Sequence, residues 1–245
     1  MTRSVAATQG SLRPPPVGLA GAAERHFGLR LRLGDRLEGG FANHVFRVES
    51  DVGPLALRAS HPPVDLDDLG WEHRVTGLLS ARVPEVAAPL EAPDGSTWAL
   101  HQGWALTLLP FAAGGPADRD DEAHRLAAAR LLGRLHAAAA ELAVPPRPRV
   151  RALRNLDWPP VRDFPETFDR GEIERARARA METVAAIAAS RPLREHVVHG
   201  DFFPGNVLVA DGRVTGLVDW EEAHVGWATF ELANAVWVRE AARRG

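Results

Sequence analysis

From Leu31 to Ser60 apolar and polar residues alternate with period two, through "LRLGDRLEGGFANHVFRVES" and "PLALRAS". The pattern breaks at Gly39-Gly40 and at Gly53-Pro54, so it predicts three antiparallel strands. The period then lengthens. "DLDDLGWEHRVTGLLSARV" opens on acidic residues suited to a helix N-terminus and repeats Trp71, Val75, Leu78 and Leu79 at helical spacing. Strands are predicted again at "AAPLEA" and "STWALHQGWALTLL", joined through Pro93-Asp94-Gly95 and ending at Pro110. The first twenty or so residues, polar and with Pro14 to Pro16 near their end, predict a mobile tail, taken here to run through residue 28.

Past the Gly- and Pro-bearing stretch "PFAAGGPADRDDEA" the pattern is helical. "HRLAAARLLGRLHAAAAEL", "IERARARAMETVAAIAA" and "ATFELANAVWVREAARR" each read as a helix, and "VPPRPRVRALRNLDWPPVRDFP" as irregular chain. One exception interrupts the helices. Asp211-Gly212, flanked by "NVLVA" and "RVTGLVDW", predicts a hairpin, because a type I′ turn needs positive φ at both central positions. The expectation is therefore an α+β chain in two lobes. Residues 29–110 form a sheet-rich lobe with one helix, and residues 111–245 a mainly helical lobe carrying the hairpin.

At 245 residues the chain is long enough for such a pair of lobes. A net charge of −3, from 29 basic and 32 acidic side chains, gives no global attraction to nucleic acid or anionic membrane, which points to a small-molecule partner. Without cysteine there is neither a disulfide nor a thiolate metal site. No run of 18 apolar residues and no apolar leader segment is present, so a cytoplasmic location is expected.

The candidate chemistry gathers at the hairpin. "VVHGDFFPGNVLVADGRVTGLVDW" sets His199, Asp201, Asn206 and Asp219 at the ends of short apolar runs. Alone, such residues cap turns; held near one point, their oxygens organise a magnesium ion and a reacting hydroxyl. Gly39-Gly40 reads equally as a plain turn or as a close approach of backbone to phosphate. Arg58 and Glu72 are either a surface ion pair or a functional one. "RARARA" spreads its arginines around a helix and reads as solvated surface, and His136 as a packing or helix-end residue.

Taken in order, these segments resemble the aminoglycoside phosphotransferase and choline kinase-like superfamily, which has the protein-kinase-like fold. "VVHGDFFPGNVLV" with "GLVDWEEA" is similar to its catalytic segment, "LEGGFANHVFRVES" to its nucleotide loop, and "LALRAS" to its third strand. Glu72 in "WEHRVTGLL" matches its regulatory-helix glutamate, and "LLGRLHA" its first large C-lobe helix. The resemblance implies an ATP- and Mg2+-dependent phosphotransferase acting on a small-molecule hydroxyl: an aminoglycoside, choline, homoserine or sugar-like acceptor, with antibiotic resistance among the roles. It implies Asp201 as the catalytic aspartate, His199 as a loop-holding residue, and Asn206 and Asp219 as magnesium ligands. The implied nucleotide set is Gly39, Gly40, Phe41, Ala42, Asn43, Arg58, Glu72, Leu108 and Leu109. Glu221 and Glu222 are candidates to attract a cationic acceptor; as turn residues they would simply face solvent.

The chain departs from the family pattern in three places. Arg58 stands for the third-strand lysine, and its planar guanidinium binds phosphate differently. Gly226-Trp227-Ala228 replaces the usual sequence after the glycine, and Glu231 stands where an aspartate usually braces the catalytic loop. Two other classes stay open: a catalytically impaired nucleotide-binding pseudokinase, and a metal-dependent hydrolase using His199, Asp201 and Asp219 as ligands.

Overall fold

The computed structural model of the protein describes residues 14–37, 43–148 and 169–244. The chain divides into two compact units, Met1–Ala128 with Pro204–Val218 and Ala129–Phe203 with Asp219–Gly245.

The first unit is built on a five-stranded antiparallel sheet in the order β1-β2-β3-β5-β4. Its strands are β1 (Leu31–Arg36), β2 (Asn43–Ser50), β3 (Gly53–Ser60), β4 (Ala99–His101) and β5 (Trp104–Pro110). Period-two alternation sorts its faces. Leu57 pairs with Leu108 and both are fully buried in the core, whereas the next pair, Arg58 with Thr107, belongs to the other face. Helix α2 (Leu66–Ser80) starts where expected, with the Asp65 carboxylate accepting from the backbone N–H of Asp67 and Asp68. It buries Glu72 and His73 together with Leu69, Val75 and Leu79.

Three details differ from the sequence pattern. Residues Leu19–Phe27, inside the expected tail, form helix α1, whose Leu19, Ala22, Ala23 and Phe27 join the core with Leu31 and Val48. Gly18 and Gly28 flank it in left-handed conformation. "AAPLEA" is not a strand. Pro89 lacks an N–H, and residues 87–92 are tied to the sheet by the Leu90 N–H donating to the Leu108 carbonyl. "STWALHQGWALTLL" is not one strand but the hairpin β4–β5, turning at Gln102 and Gly103 with φ of 51° and 84°.

The Asp-Gly hairpin is present as β8 (Val207–Ala210) and β9 (Arg213–Leu217), with Asp211 and Gly212 at φ 49° and 70°. The short strand β6 (Gly115–Pro116) completes a sheet in the order β6-β8-β9. A 3-10 turn at Pro204–Asn206 leads into it. Leu217 N–H donates to the Glu85 carbonyl, which joins the hairpin to the residues that follow α2.

The second unit holds the C-terminal part of α3 (Glu122–Ala139), α4 (Arg170–Ser190), the antiparallel pair β7 (Glu195–Val198) and β10 (His224–Trp227), and α5 (Ala228–Arg244). Its buried side chains include Leu131, Leu135, Val197, Val198, Phe202 and Trp220. Helix α4, which carries "RARARA", buries none of its residues, as a solvated helix should. Among the described residues no helix is long and apolar enough to cross a membrane.

Candidate active site

Strand β7 delivers His199, Gly200 and Asp201. His199 is completely buried, its ring 4.7 Å from that of Trp220 and edge-on to Phe202. Its Nδ1 accepts from the Asp201 N–H at 3.3 Å, which fixes the neutral tautomer with the proton on Nε2. Gly200 has φ +84°, and a Cβ there would collide with the Glu222 carbonyl, so the turn requires glycine.

The Gly200 N–H donates to Glu231 Oε1 at 2.8 Å, and Glu231 Oε2 receives His136 Nε2 at 2.6 Å. Glu231 is 1% exposed. One buried carboxylate thus links α5, the loop after β7, and α3. The longer glutamate reaches the loop at a position where an aspartate is usual. His136, read from the sequence as a packing residue, is the second anchor of that carboxylate. It also meets His196 edge to face at 4.9 Å. Burial pushes the His196 pKa down, with His136 acting in the same direction.

Arg147, in a stretch whose role the sequence does not reveal, donates to the carbonyls of Glu221 and Ala223 at 2.5 and 3.0 Å. It ties down the turn that follows Asp219. Glu221 is half-buried and Glu222 exposed on that turn. Trp227 pairs with Glu195 across β10 and β7 and donates its indole N–H to the Glu195 carboxylate.

Asp219 adopts a left-handed backbone, φ +66°, a conformation that aspartate tolerates better than most residues. Asn206 is buried at the end of the 3-10 turn, in the first unit. Its carbonyl accepts from the Val218 N–H at 2.9 Å, which bonds it to the residue preceding Asp219. An amide oxygen and a carboxylate are a suitable donor pair for Mg2+, a hard cation that keeps several waters and binds phosphate oxygens. Among the described residues no three His, Asp or Glu side chains form a group able to hold a metal ion.

In the first unit Arg58 Nη1 donates to Glu72 Oε1 at 2.7 Å, both side chains at most 10% exposed. The pair is not a surface ion pair. Arg58 Nη2 lies 3.2 Å from His73 Nε2, and His73 Nδ1 lies 2.7 Å from Thr97 Oγ1. Burial, reinforced by the Arg58 guanidinium and opposed by Glu72, lowers the His73 pKa to about 4. The unfolded chain takes up this proton near pH 6.5 and the folded chain only near pH 4, so the unfolded state binds more protons in between. Stability is expected to be full above about pH 6.5 and to fall toward pH 4, by roughly 3 kcal/mol from this group. Urea unfolding across that range should show the loss, and His73→Gln should flatten it.

Of the other expected nucleotide residues, Gly39, Gly40, Phe41 and Ala42 lie outside the described residues. Asn43 opens β2, half-buried, opposite Ser60. The Leu108 side chain lies in the core and Leu109 is partly exposed.

Comparison with known proteins agrees with this architecture. Homoserine kinase of Rhodospirillum rubrum is 28% identical over 209 residues, covering 83% of this chain and 63% of the relative. Homoserine kinase of Pseudomonas aeruginosa is 31% identical over 215 residues, covering 83% and 64%. The chain thus spans less than two thirds of the length of these curated relatives. A thermostable mutant of aminoglycoside phosphotransferase APH(4)-Ia, solved as a ternary complex with ADP and hygromycin B, has the same fold. It superposes with a TM-score of 0.63 at 18% identity, covering 89% of this chain and 76% of that one. The protein-kinase-like, α+β fold expected from the sequence is the fold observed. Residues 34–245 match the phosphotransferase enzyme family, APH, and the chain belongs to that family.

Proposed function

We propose that the chain acts as a cytoplasmic, ATP- and Mg2+-dependent kinase that transfers the γ-phosphoryl group to a hydroxyl of a small molecule. The observation that carries this reading is the rigidly held segment around Asp201: a left-handed glycine, a buried histidine on the loop N–H, and a buried carboxylate on the preceding N–H. Phosphoryl transfer asks a protein mainly to position reactants and neutralise oxygen charge, so a fixed loop is what the chemistry needs.

Asp201 would accept the proton of the attacking hydroxyl as its oxygen bonds to phosphorus and the bond to the ADP leaving group breaks. Asn206 and Asp219 would hold Mg2+, whose charge offsets that of the phosphates. Arg58, kept in place by Glu72, would bind phosphate oxygens in a bidentate way that a lysine cannot.

Homoserine is the first acceptor to test, because homoserine kinases match this chain over about four fifths of its length. Its ammonium group also suits the acidic turn at Glu221 and Glu222. A coupled ADP assay against homoserine, choline and hygromycin B is expected to show acceptor-dependent ADP release with homoserine above the ATPase background. Release with hygromycin B alone would shift the acceptor class to aminoglycosides, and an unchanged KM for homoserine in a Glu221→Gln, Glu222→Gln double variant would remove the role given to the two glutamates. Nucleotide binding without ADP release for any acceptor would favour the pseudokinase reading.

A further inference from the structure

Arg58 stands on β3 directly across from Thr107 of β5, and residues 72 and 73 of α2 face this pair. Its two terminal nitrogens go to different acceptors, Nη1 to Glu72 Oε1 and Nη2 to His73 Nε2. Guanidinium can only donate, so His73 Nε2 must accept and the imidazole carries its proton on Nδ1. That proton has a partner in Thr97 Oγ1 at 2.7 Å. The Thr107 hydroxyl, 3.4 Å from the same Nε2, closes the network. Arg58, Glu72, His73 and Thr107 are each at most 8% exposed.

We propose that His73 is a positioning residue for nucleotide binding: with Glu72 it clamps both terminal nitrogens of the Arg58 guanidinium, and Thr97 fixes the tautomer that makes this possible. The inference rests on the reading of Arg58 as the phosphate-binding residue. A single carboxylate leaves a guanidinium free to rotate about its own long side chain, whereas acceptors on two nitrogens fix both its direction and its plane. The planar fork has separate donors for the two acceptors, and a lysine ammonium, a compact point donor, has no equivalent geometry. The departure from lysine on β3 and the histidine after Glu72 are therefore two halves of one device.

The test is the affinity of the full chain for Mg·AMP-PNP by titration calorimetry, in wild type, His73→Phe, Arg58→Lys, the double variant, and Arg58→Ala. His73→Phe removes the acceptor at similar size and is expected to weaken binding about 5- to 10-fold. His73→Gln, which keeps an acceptor, should stay within about 2-fold of wild type. In the Arg58→Lys background His73→Phe should add less than about 2-fold, because the donor it served is gone. An equal loss in both backgrounds would mean that His73 acts by general packing, and would overturn the inference. Weakened binding in Arg58→Ala with none in His73→Phe overturns it while leaving the reading of Arg58 intact; no loss in either variant removes both. Should His73→Phe fail to fold, Thr97→Val serves instead. It is expected to weaken binding about 2- to 3-fold by freeing the tautomer, and unchanged affinity there overturns the proposal.

Discussion

Asp201→Asn is expected to lower kcat by about 10³-fold while leaving the affinity for Mg·AMP-PNP within about 2-fold of wild type. The amide has the size and shape of the carboxylate but cannot act as the base, so the change is directed at base chemistry. Two contacts of the loop use backbone N–H groups and are retained: His199 Nδ1 still accepts from residue 201 and Glu231 from residue 200. The measurement is a steady-state coupled ADP assay with the best acceptor, paired with calorimetric titration of the nucleotide analogue. Unchanged kcat would remove Asp201 from the base role. A loss of Mg·AMP-PNP affinity as large as the loss of kcat would instead make it a metal-holding group.

The second large effect is expected at Glu231. Replacing it with alanine takes the acceptor from a backbone N–H and from a histidine in a site that is 1% exposed. Leaving two buried donors without their acceptor costs about 1 to 3 kcal/mol for each, because the groups stay desolvated and unmatched. For a chain of this size the midpoint of thermal unfolding should fall by roughly 10 °C. Loss of turnover should accompany it even at temperatures where the variant is folded, since the N–H of Gly200 then no longer fixes the turn before Asp201. Glu231→Asp keeps the charge and gives up one methylene of reach, so it should fall between the two. A thermal shift of less than about 2 °C in Glu231→Ala would show that the brace is not structural.

Much of this was readable from local pattern. The Asp211-Gly212 turn, the acidic start of α2 and the strands between Leu31 and Ser60 each depend on residues within a few positions, and each appears as expected among the described residues. Helix α1 was hidden because its apolar face is two alanines between Leu19 and Phe27, behind a proline-rich stretch that reads as tail. The glycines at 18 and 28 were the available clue, since both ends stand in left-handed conformation. The strand expected at "AAPLEA" failed on Pro89, whose missing N–H matters more than its apolar neighbours. At the site the limit was distance along the chain. His136 meets a partner 95 residues away, Arg147 meets carbonyls 74 and 76 residues away, and His73 meets Thr97 across 24. No local period marks such pairings. His73 in particular looked like any helix residue beside a glutamate.

The His136–Glu231 contact also orders events during synthesis. A ribosome would have released the loop residues 199–201 and the Asp211-Gly212 hairpin well before position 231 emerges, so the reactive groups are made early and their anchor late. Because the brace joins residues 95 positions apart, the loop it holds is synthesised before both of its anchors are present. The turn at Gly200 then gains its anchor only when α5 docks.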